Sequence, residues 1–223
     1  MRLSEIFVAH QGEGPTLGIE SVFVRLHGCP VQCAWCDTAF TWDGSERGQR
    51  VAWADLARQV QQLAAEHRVV NVVLTGGEPA IEKNIGAFVA TLCNAGLSVE
   101  VETSGTLPPS PLIARPGVRF NVSPKLASAR PRMQPDAAVL RLWLEHDGAV
   151  LKFVVDNADD FAQARSLVEQ LGVDASRVWL MPQATTREQL ATAQARVLEL
   201  ARGTGYRVTT RMHVLAYDGQ RGT

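Results

Sequence analysis

Short apolar segments with the pattern of β-strands alternate with helical patterns along most of the 223 residues, and this alternation limits the possible folds more than any other feature. The clearest segment, Val69–Leu74, is rich in β-branched residues, which is typical of a parallel strand buried on both faces. Strand, loop and helix recur about six times, which predicts parallel βαβ units in an α/β fold. Because a complete barrel has eight units, we expect a partial, open (β/α)6-type barrel with some helices reduced, formed by a single domain over residues 1–223.

The individual elements are placed by the spacing of the apolar residues. After a short apolar segment at residues 3–9, strands are predicted at residues 21–26, 69–74, 97–101, 118–122, 150–155 and 177–180, followed by a final extended segment, Tyr206–Leu215. Helices are predicted near residues 52–67, 85–96, 136–145, 161–171 and 186–201, the last with a capping box formed by Thr186 and Gln189. Several predicted strands end in polar or glycine-rich residues, and in parallel α/β folds such ends meet on the side where active sites form.

Three of the four cysteines lie within eight residues, at Cys29, Cys33 and Cys36, directly after a predicted strand. Thiolates at this spacing suit zinc or an iron–sulfur cluster. A structural zinc site needs four protein ligands, and the usual paired Cys-x2-Cys motifs are absent. The fourth cysteine, Cys93, lies on an apolar helical stripe beside Leu92, which favours a core position. A cubane held by three cysteines would leave one iron open to a substrate or cofactor.

The composition indicates an ordinary soluble protein with a sizeable core, because 46% of the residues are apolar and 20% are charged. A formal net charge of −1 gives no overall field that favours nucleic acid or a membrane surface as a partner. No uninterrupted apolar stretch approaches the roughly 18 residues of a membrane span, and the N-terminus has no signal-peptide pattern. Clustered cysteines are also a poor disulfide framework. We therefore expect a cytoplasmic protein.

Two motifs together resemble those of radical S-adenosylmethionine (SAM) enzymes. The first is the spacing of Cys29, Cys33 and Cys36, with the aromatic Trp35 just before the last cysteine. The second is the sequence Gly-Gly-Glu-Pro over residues 76–79, which is similar to the segment that contacts the methionine amino group of SAM in that superfamily. The resemblance implies one [4Fe–4S] cluster per chain, whose open iron binds SAM and whose reduction cleaves SAM to a 5′-deoxyadenosyl radical.

A finer resemblance, over essentially the whole chain, is to the 7-carboxy-7-deazaguanine synthase family. The sequences Gln-Gly-Glu-Gly at residues 11–14 and Cys-Asp-Thr at residues 36–38 discriminate this family best. The resemblance implies a lyase that converts 6-carboxy-5,6,7,8-tetrahydropterin into 7-carboxy-7-deazaguanine with loss of ammonia, in 7-deazapurine and queuosine biosynthesis. It also implies a requirement for Mg²⁺ in addition to the cluster and SAM.

The resemblance further implies a role for individual residues, with the radical taking the place of a protein acid or base. The cluster would be held by Cys29, Cys33 and Cys36, and Mg²⁺ by Thr38. The residues expected to bind SAM are Trp35, Cys36, Asp37, Gly77, Glu78, Ser123, Pro124, Lys125, Met181, Pro182, Gln183 and Ala184. Those expected to bind the substrate are His10, Gln11, Gly12, Glu13, Arg25, Thr75 and His213, the last in the final extended segment.

His10, Arg25 and Glu13 are three of the residues expected to bind the substrate. His10 stands where the family often has an apolar residue, although a backbone contact would survive that change. Arg25 would bind the substrate carboxylate through its planar guanidinium group. Strand alternation alone allows an outward-facing Arg25 about equally well, and Glu13 would pair with the guanidine-like edge of the pterin.

Two other functions remain open from the sequence. A glycyl-radical activating enzyme would share the cysteine spacing and the Gly-Gly-Glu-Pro sequence, but would not need the two motifs that discriminate the synthase family. A non-catalytic iron–sulfur or zinc protein would need a fourth ligand, most simply Cys93.

The resemblance to the synthase family also implies an electron donor such as flavodoxin or ferredoxin and a homodimer. The contact of the tail, residues 217–223, with the substrate is left open.

Overall fold

The computed structural model describes residues 1–110, 113 and 115–222, and Thr223, at the end of the tail, lies outside the described residues. Within them the strands form one sheet in the order β3-β1-β2-β4-β5-β6-β7-β8-β9. Strand β1 is antiparallel to β2 and β3, and all other neighbours are parallel. The strands are β1 Arg2–His10, β2 Glu20–Leu26, β3 Gln49–Arg50, β4 Asn71–Gly76, β5 Ser98–Thr103, β6 Val118–Val122, β7 Ala149–Val155, β8 Val178–Pro182 and β9 Arg207–Val208.

The α-helices connect most of the parallel strands and confirm the predicted open α/β barrel. They are α1 Trp53–His67, α2 Ile85–Asn94, α3 Ala137–Leu144, α4 Ala158–Leu171, α5 Arg187–Ala201 and α6 Met212–Tyr217. The described residues between β5 and β6 contain no α-helix, so one crossover is reduced. Half of the predicted capping box is present: the side chain of Thr186 accepts a hydrogen bond from Gln189 N, whereas the Gln189 side chain accepts from Thr185 N and not from Thr186 N. In the part of the chain that the structure describes, no helix combines the length and apolar character that a membrane crossing requires.

The two faces of the sheet differ in chemistry, since successive side chains of a strand point to opposite faces. On one face, Val22, Val24, Leu74, Val101 and Leu151 are buried with the large apolar side chains of the helices in the main core. The other face carries buried polar and charged side chains, among them Asn71, Glu100, Asn121 and Lys152. A polar inner face prepares the sheet to hold a site rather than a second core.

One predicted element is wrong. The expected extended segment Tyr206–Leu215 is a strand only at Arg207–Val208, and the chain then enters helix α6, so His213 lies on a helix. Pairing with β8 covers only two residues, after which Met212 N donates to Gly12 O at 2.9 Å. Val214 on α6 then packs with Ala184 and Leu190 of the β8–α5 region. These tertiary contacts outweigh the weak strand pattern of the segment.

Candidate active site

A cavity of about 510 Å³ lies at the carboxyl ends of the parallel strands. Strands β2, β4, β5, β7 and β8 contribute side chains of the inner face to its wall, namely Phe23, Arg25, Thr75, Glu102, Lys152, Val154 and Met181, and Ser123 lines it directly after β6. The loops after β1 and β2, helix α6 and the tail complete the wall. The predicted meeting of the polar strand ends is therefore confirmed, because parallel strands present these ends on one side.

The three clustered cysteines share this wall. Cys29, Cys33 and Cys36 are free thiols that line the cavity, and they pack with Val31, Trp35 and Ala129. The loop that carries them is fixed to residues 129–132 of the same chain, since Ala34 N donates to Ala129 O and Arg132 N to Val31 O, both at 2.8 Å. The three thiols consequently face one space from a loop held at several points.

The thiols suit a soft metal centre in donor type, and all three line the cavity. Burial raises the pKa of Cys33 to about 11 and also raises the pKa of Cys29, and mutual repulsion between the thiolates adds to both shifts. A bound metal would lower the pKa of both thiols again, because it stabilises the thiolate form directly. Within the described residues no three histidine, cysteine, aspartate or glutamate side chains converge on a single-ion position. Cys93 is half-buried against the main core and is not part of the cavity wall, as expected.

Thr38 lines the cavity directly after the last clustered cysteine. Its hydroxyl Oγ1 lies 3.5 Å from Cys36 Sγ, and its carbonyl accepts hydrogen bonds from Thr41 Oγ1 at 2.8 Å and Thr41 N at 2.9 Å. The backbone is thus held by a short turn while the side chain borders the cavity. A hydroxyl is a hard oxygen donor, and Mg²⁺ commonly uses few protein ligands together with substrate and water.

Gly77 lets the end of β4 lie directly against the cysteine loop. A Cβ atom at Gly77 would stand 1.9 Å from Gly28 O, and Glu78 N donates to the same oxygen at 2.8 Å. The carboxylate of Glu78 points elsewhere: it accepts from Thr103 Oγ1 at 2.7 Å and from Ser104 N at 2.8 Å. Glu78 therefore joins the loop after β4 to the end of β5.

The structure brings most of the residues expected to bind SAM to the cavity. Those in the wall are Trp35, Cys36, Asp37, Gly77, Ser123, Lys125 and Met181. Lys125 Nζ donates to Ser123 Oγ at 3.0 Å, so these two side chains meet there. Five expected residues are not among those that line the cavity: Glu78, Pro124, Pro182, Gln183 and Ala184.

All seven residues expected to bind the substrate line the cavity, namely His10, Gln11, Gly12, Glu13, Arg25, Thr75 and His213. Arg25 faces inward, which decides the orientation that alternation left open. Thr75 Oγ1 donates to Glu102 Oε2 at 2.8 Å, and Gln11 Nε2 lies within hydrogen-bond distance of Glu100 and Glu102. Burial lowers the pKa of His213, so its imidazole is neutral at neutral pH.

Glu13 already has two cationic partners. Its Oε2 accepts from Lys152 Nζ at 2.5 Å and its Oε1 from Arg211 Nε at 3.0 Å. Burial opposes the charge, but Lys152 and then Arg211 hold the pKa of Glu13 well below its ordinary value. The carboxylate expected to pair with the pterin edge is therefore an ionised group that holds two cations in the wall.

Lys152 and Arg211 are site residues that the sequence analysis missed. Arg211 also donates to Asp37, beside the last cysteine, and to Ala184 O, so it joins three loops around the cavity. A signal for Lys152 exists in the sequence, since it interrupts an apolar strand between Leu151 and Phe153. A buried charge in such a strand needs a partner and so indicates the inner face.

Comparison with known proteins identifies the family that this chain resembles. The model of the radical SAM superfamily matches residues 23–142. A 7-carboxy-7-deazaguanine synthase of Pyrobaculum aerophilum is 39% identical over 223 residues, covering 100% of this chain and 97% of that protein. A second 7-carboxy-7-deazaguanine synthase, from Rhodopirellula baltica, is 37% identical over 99% of this chain and 88% of its own length.

Solved structures are similar as well. QueE from Escherichia coli superposes with a TM-score of 0.72 at 26% identity and covers 95% of this chain and 94% of that one. SuiB from Streptococcus suis superposes with a TM-score of 0.60 at 12% identity, over 86% of this chain and 50% of that one, which is a likeness of fold alone.

Proposed function

Because the chain belongs to the 7-carboxy-7-deazaguanine synthase family of the radical SAM superfamily, we propose that it is the lyase that contracts the ring of 6-carboxy-5,6,7,8-tetrahydropterin. The products are 7-carboxy-7-deazaguanine, an intermediate of 7-deazapurine and queuosine biosynthesis, and ammonia. One observation carries the assignment: the three clustered thiols and the seven residues expected to bind the substrate line the same cavity. A cofactor held by the thiols and a ligand held on the sheet would therefore share one cavity.

The cysteine loop would hold the cofactors. Cys29, Cys33 and Cys36 would bind a [4Fe–4S] cluster, and the wall residues Trp35, Asp37, Gly77, Ser123, Lys125 and Met181 would surround SAM. A reduced cluster held there would supply the electron for reductive cleavage of SAM, which is the source of the radical chemistry proposed for the pterin. The close contact of Gly77 with Gly28 keeps the end of β4 beside Cys29, so the residues proposed to bind the cluster and those proposed to bind SAM are held next to each other.

The inner face of the sheet would hold the substrate. Arg25 presents a planar guanidinium that suits a carboxylate, and Thr75 and Glu102 offer hydroxyl and carboxylate oxygens to a polar heterocycle. Neutral His213 can donate or accept a hydrogen bond without adding charge. We propose that Thr38 would hold Mg²⁺, because its hydroxyl is a hard oxygen donor of the kind that this ion prefers.

The partners of the enzyme are also proposals. The chain would receive single electrons from a small donor such as flavodoxin or ferredoxin, because its cofactor chemistry requires a reductant. Three free cysteines in one loop suit a reducing compartment, for which we propose the cytoplasm. We further propose a homodimer, in line with the family resemblance.

The assignment is tested with anaerobically reconstituted protein supplied with SAM, a reductant, Mg²⁺ and 6-carboxytetrahydropterin. We expect mass spectrometry to detect 7-carboxy-7-deazaguanine. Cys33→Ser should lose the activity together with bound iron, because one of three cluster ligands is gone. Cys93→Ser is the matched control and should keep both, since Cys93 packs on the core.

Accumulation of 5′-deoxyadenosine without 7-carboxy-7-deazaguanine would contradict the assignment and would favour another reaction of the superfamily. Loss of iron from Cys93→Ser would instead favour the non-catalytic iron–sulfur protein with four cysteine ligands.

A further inference from the structure

The last described residues of the chain form part of the cavity wall, and an arginine fixes them there. Gly219, Gln220, Arg221 and Gly222 follow α6 and line the cavity. Arg221 Nη1 and Nη2 donate to the two carboxylate oxygens of Glu46 at 2.6 and 3.2 Å, and its guanidinium lies 3.7 Å from the centre of the Phe40 ring. A two-point ion pair over an aromatic face sets the orientation of the group, so the tail is held on the loop that follows the clustered cysteines.

Arg221 is also connected through Glu5 to Arg25, the residue proposed to bind the substrate carboxylate. On β1, Glu5 Oε1 accepts from Arg25 Nε at 2.6 Å, and Glu5 Oε2 accepts from Arg221 Nε at 2.8 Å. One carboxylate thus bridges two guanidinium groups. The Nη nitrogens of Arg25 make no hydrogen bond or ion pair in the described part of the chain, so they can receive a carboxylate ligand.

The charge of Glu5 affects how well Arg25 can bind a ligand carboxylate. A ligand carboxylate on Arg25 would lie next to Glu5, which is largely buried, with an exposed side-chain fraction of 17%. Two like charges on one arginine repel each other, and burial strengthens the repulsion. Arg221, which also pairs with Glu46, brings a second positive charge to Glu5, so that Glu5 no longer relies on Arg25 alone for its counter-charge.

We propose that Arg221 is a positioning residue for carboxylate recognition, acting through Glu5 so that Arg25 can bind the substrate carboxylate. The inference rests on the proposed function, because it concerns a pterin ligand with a carboxylate at C6. It assigns to the tail a part in choosing the ligand, in addition to closing the wall.

The test compares two unreactive ligands on the reconstituted enzyme with SAM bound. These are 6-carboxypterin and pterin, which differ by the carboxylate, and their dissociation constants are measured by fluorescence titration. Arg221→Ala should weaken 6-carboxypterin about tenfold, the effect of about 1.4 kcal/mol, and pterin less than about twofold. Adding Glu5→Gln to Arg221→Ala should restore most of the affinity, because the repelling charge is removed while a hydrogen-bond acceptor for Arg25 remains.

Arg165→Ala is the matched control. Arg165 is an exposed arginine on α4 that lies over the Phe161 ring and pairs with Glu169, and it is not part of the cavity wall. It should change neither dissociation constant.

Three results would overturn the proposal. With the variants, these are an equal loss of affinity for both ligands in Arg221→Ala, no loss of affinity for either ligand, and a loss of 6-carboxypterin affinity that Glu5→Gln does not restore. Each would show that Arg221 does not act on carboxylate binding through the charge of Glu5. Wild-type enzyme that forms 7-carboxy-7-deazaguanine yet binds both ligands equally would also overturn it. Absence of product from the wild type is a separate result, which would contradict the proposed function itself.

Discussion

Thr38, the proposed Mg²⁺ ligand, is the residue of the cysteine loop whose role is specific to the proposed synthase reaction. Its hydroxyl borders the cavity, while its carbonyl is held by Thr41. The turn is therefore held through the carbonyl, while the hydroxyl makes one long contact, with Cys36 Sγ at 3.5 Å. We expect Thr38→Ala to raise the Mg²⁺ concentration needed for half-maximal activity at least several-fold, with an unchanged iron content. Titration of activity with Mg²⁺, beside an iron assay, measures both quantities.

Thr38→Ser keeps the oxygen donor and serves as the control, with a Mg²⁺ requirement close to that of the wild type. If Thr38→Ala lost bound iron, Thr38 would instead be a structural residue of the cysteine loop.

At the scale of residues, local motifs were predictable and distant pairs were not. The cysteines and Thr38 stand close together in the chain, so spacing alone indicates a shared site. Glu13 and Lys152 are separated by 139 positions and Glu13 and Arg211 by 198 positions, and only the fold brings them together. The pattern of an interrupted apolar strand could have pointed to Lys152, but not to its partner. For the same reason the ion pair between Glu5 and Arg221 could not be predicted.

The contact between β4 and the cysteine loop can be tested at the scale of elements. A Cβ atom at Gly77 would meet Gly28 O, a backbone atom that cannot rotate away as a side chain can. Gly77→Ala should therefore displace the loop that carries Cys29. We expect at least half of the bound iron to be lost, as measured by iron assay and visible absorption after reconstitution.

Gly18→Ala is the control for a glycine substitution as such. Gly18 has a positive φ of 85°, and an added Cβ would meet nothing within 4 Å. This variant should lose about 1 kcal/mol of folding free energy through backbone strain and keep its iron. Equal iron contents in the two variants would show that the close contact at Gly77 does not hold the loop.

Elements with strong periodicity were predicted well, and the end of the chain was not. Helices α1, α2 and α5 follow apolar spacing over ten or more residues each, which leaves little ambiguity. Helix α6 has only six residues and begins where Met212 N bonds to Gly12 O, a partner 200 positions away. A short segment whose structure depends on such a contact carries too weak a local signal for prediction.

At the scale of the whole molecule, an incomplete barrel brings two chemistries into the lining of one cavity. The cysteine loop supplies donors for a soft metal centre, and the inner face of the sheet supplies charged and polar groups for a ligand. The fold class followed from the repeated units in the sequence, because parallel strands need crossovers. The ion pairs around Glu13 depend on how the loops after β1 and β8 close over the strand ends, which no local pattern specifies.

The most direct test of this account is the number of 7-carboxy-7-deazaguanine molecules formed for each SAM consumed, measured with limiting SAM and excess 6-carboxytetrahydropterin. In a ring contraction without net oxidation or reduction, the abstracted hydrogen can be returned inside the shared cavity and SAM regenerated. We predict clearly more than one product molecule for each 5′-deoxyadenosine released. A ratio at or below one would contradict the account, since SAM would then be consumed as a substrate in each reaction.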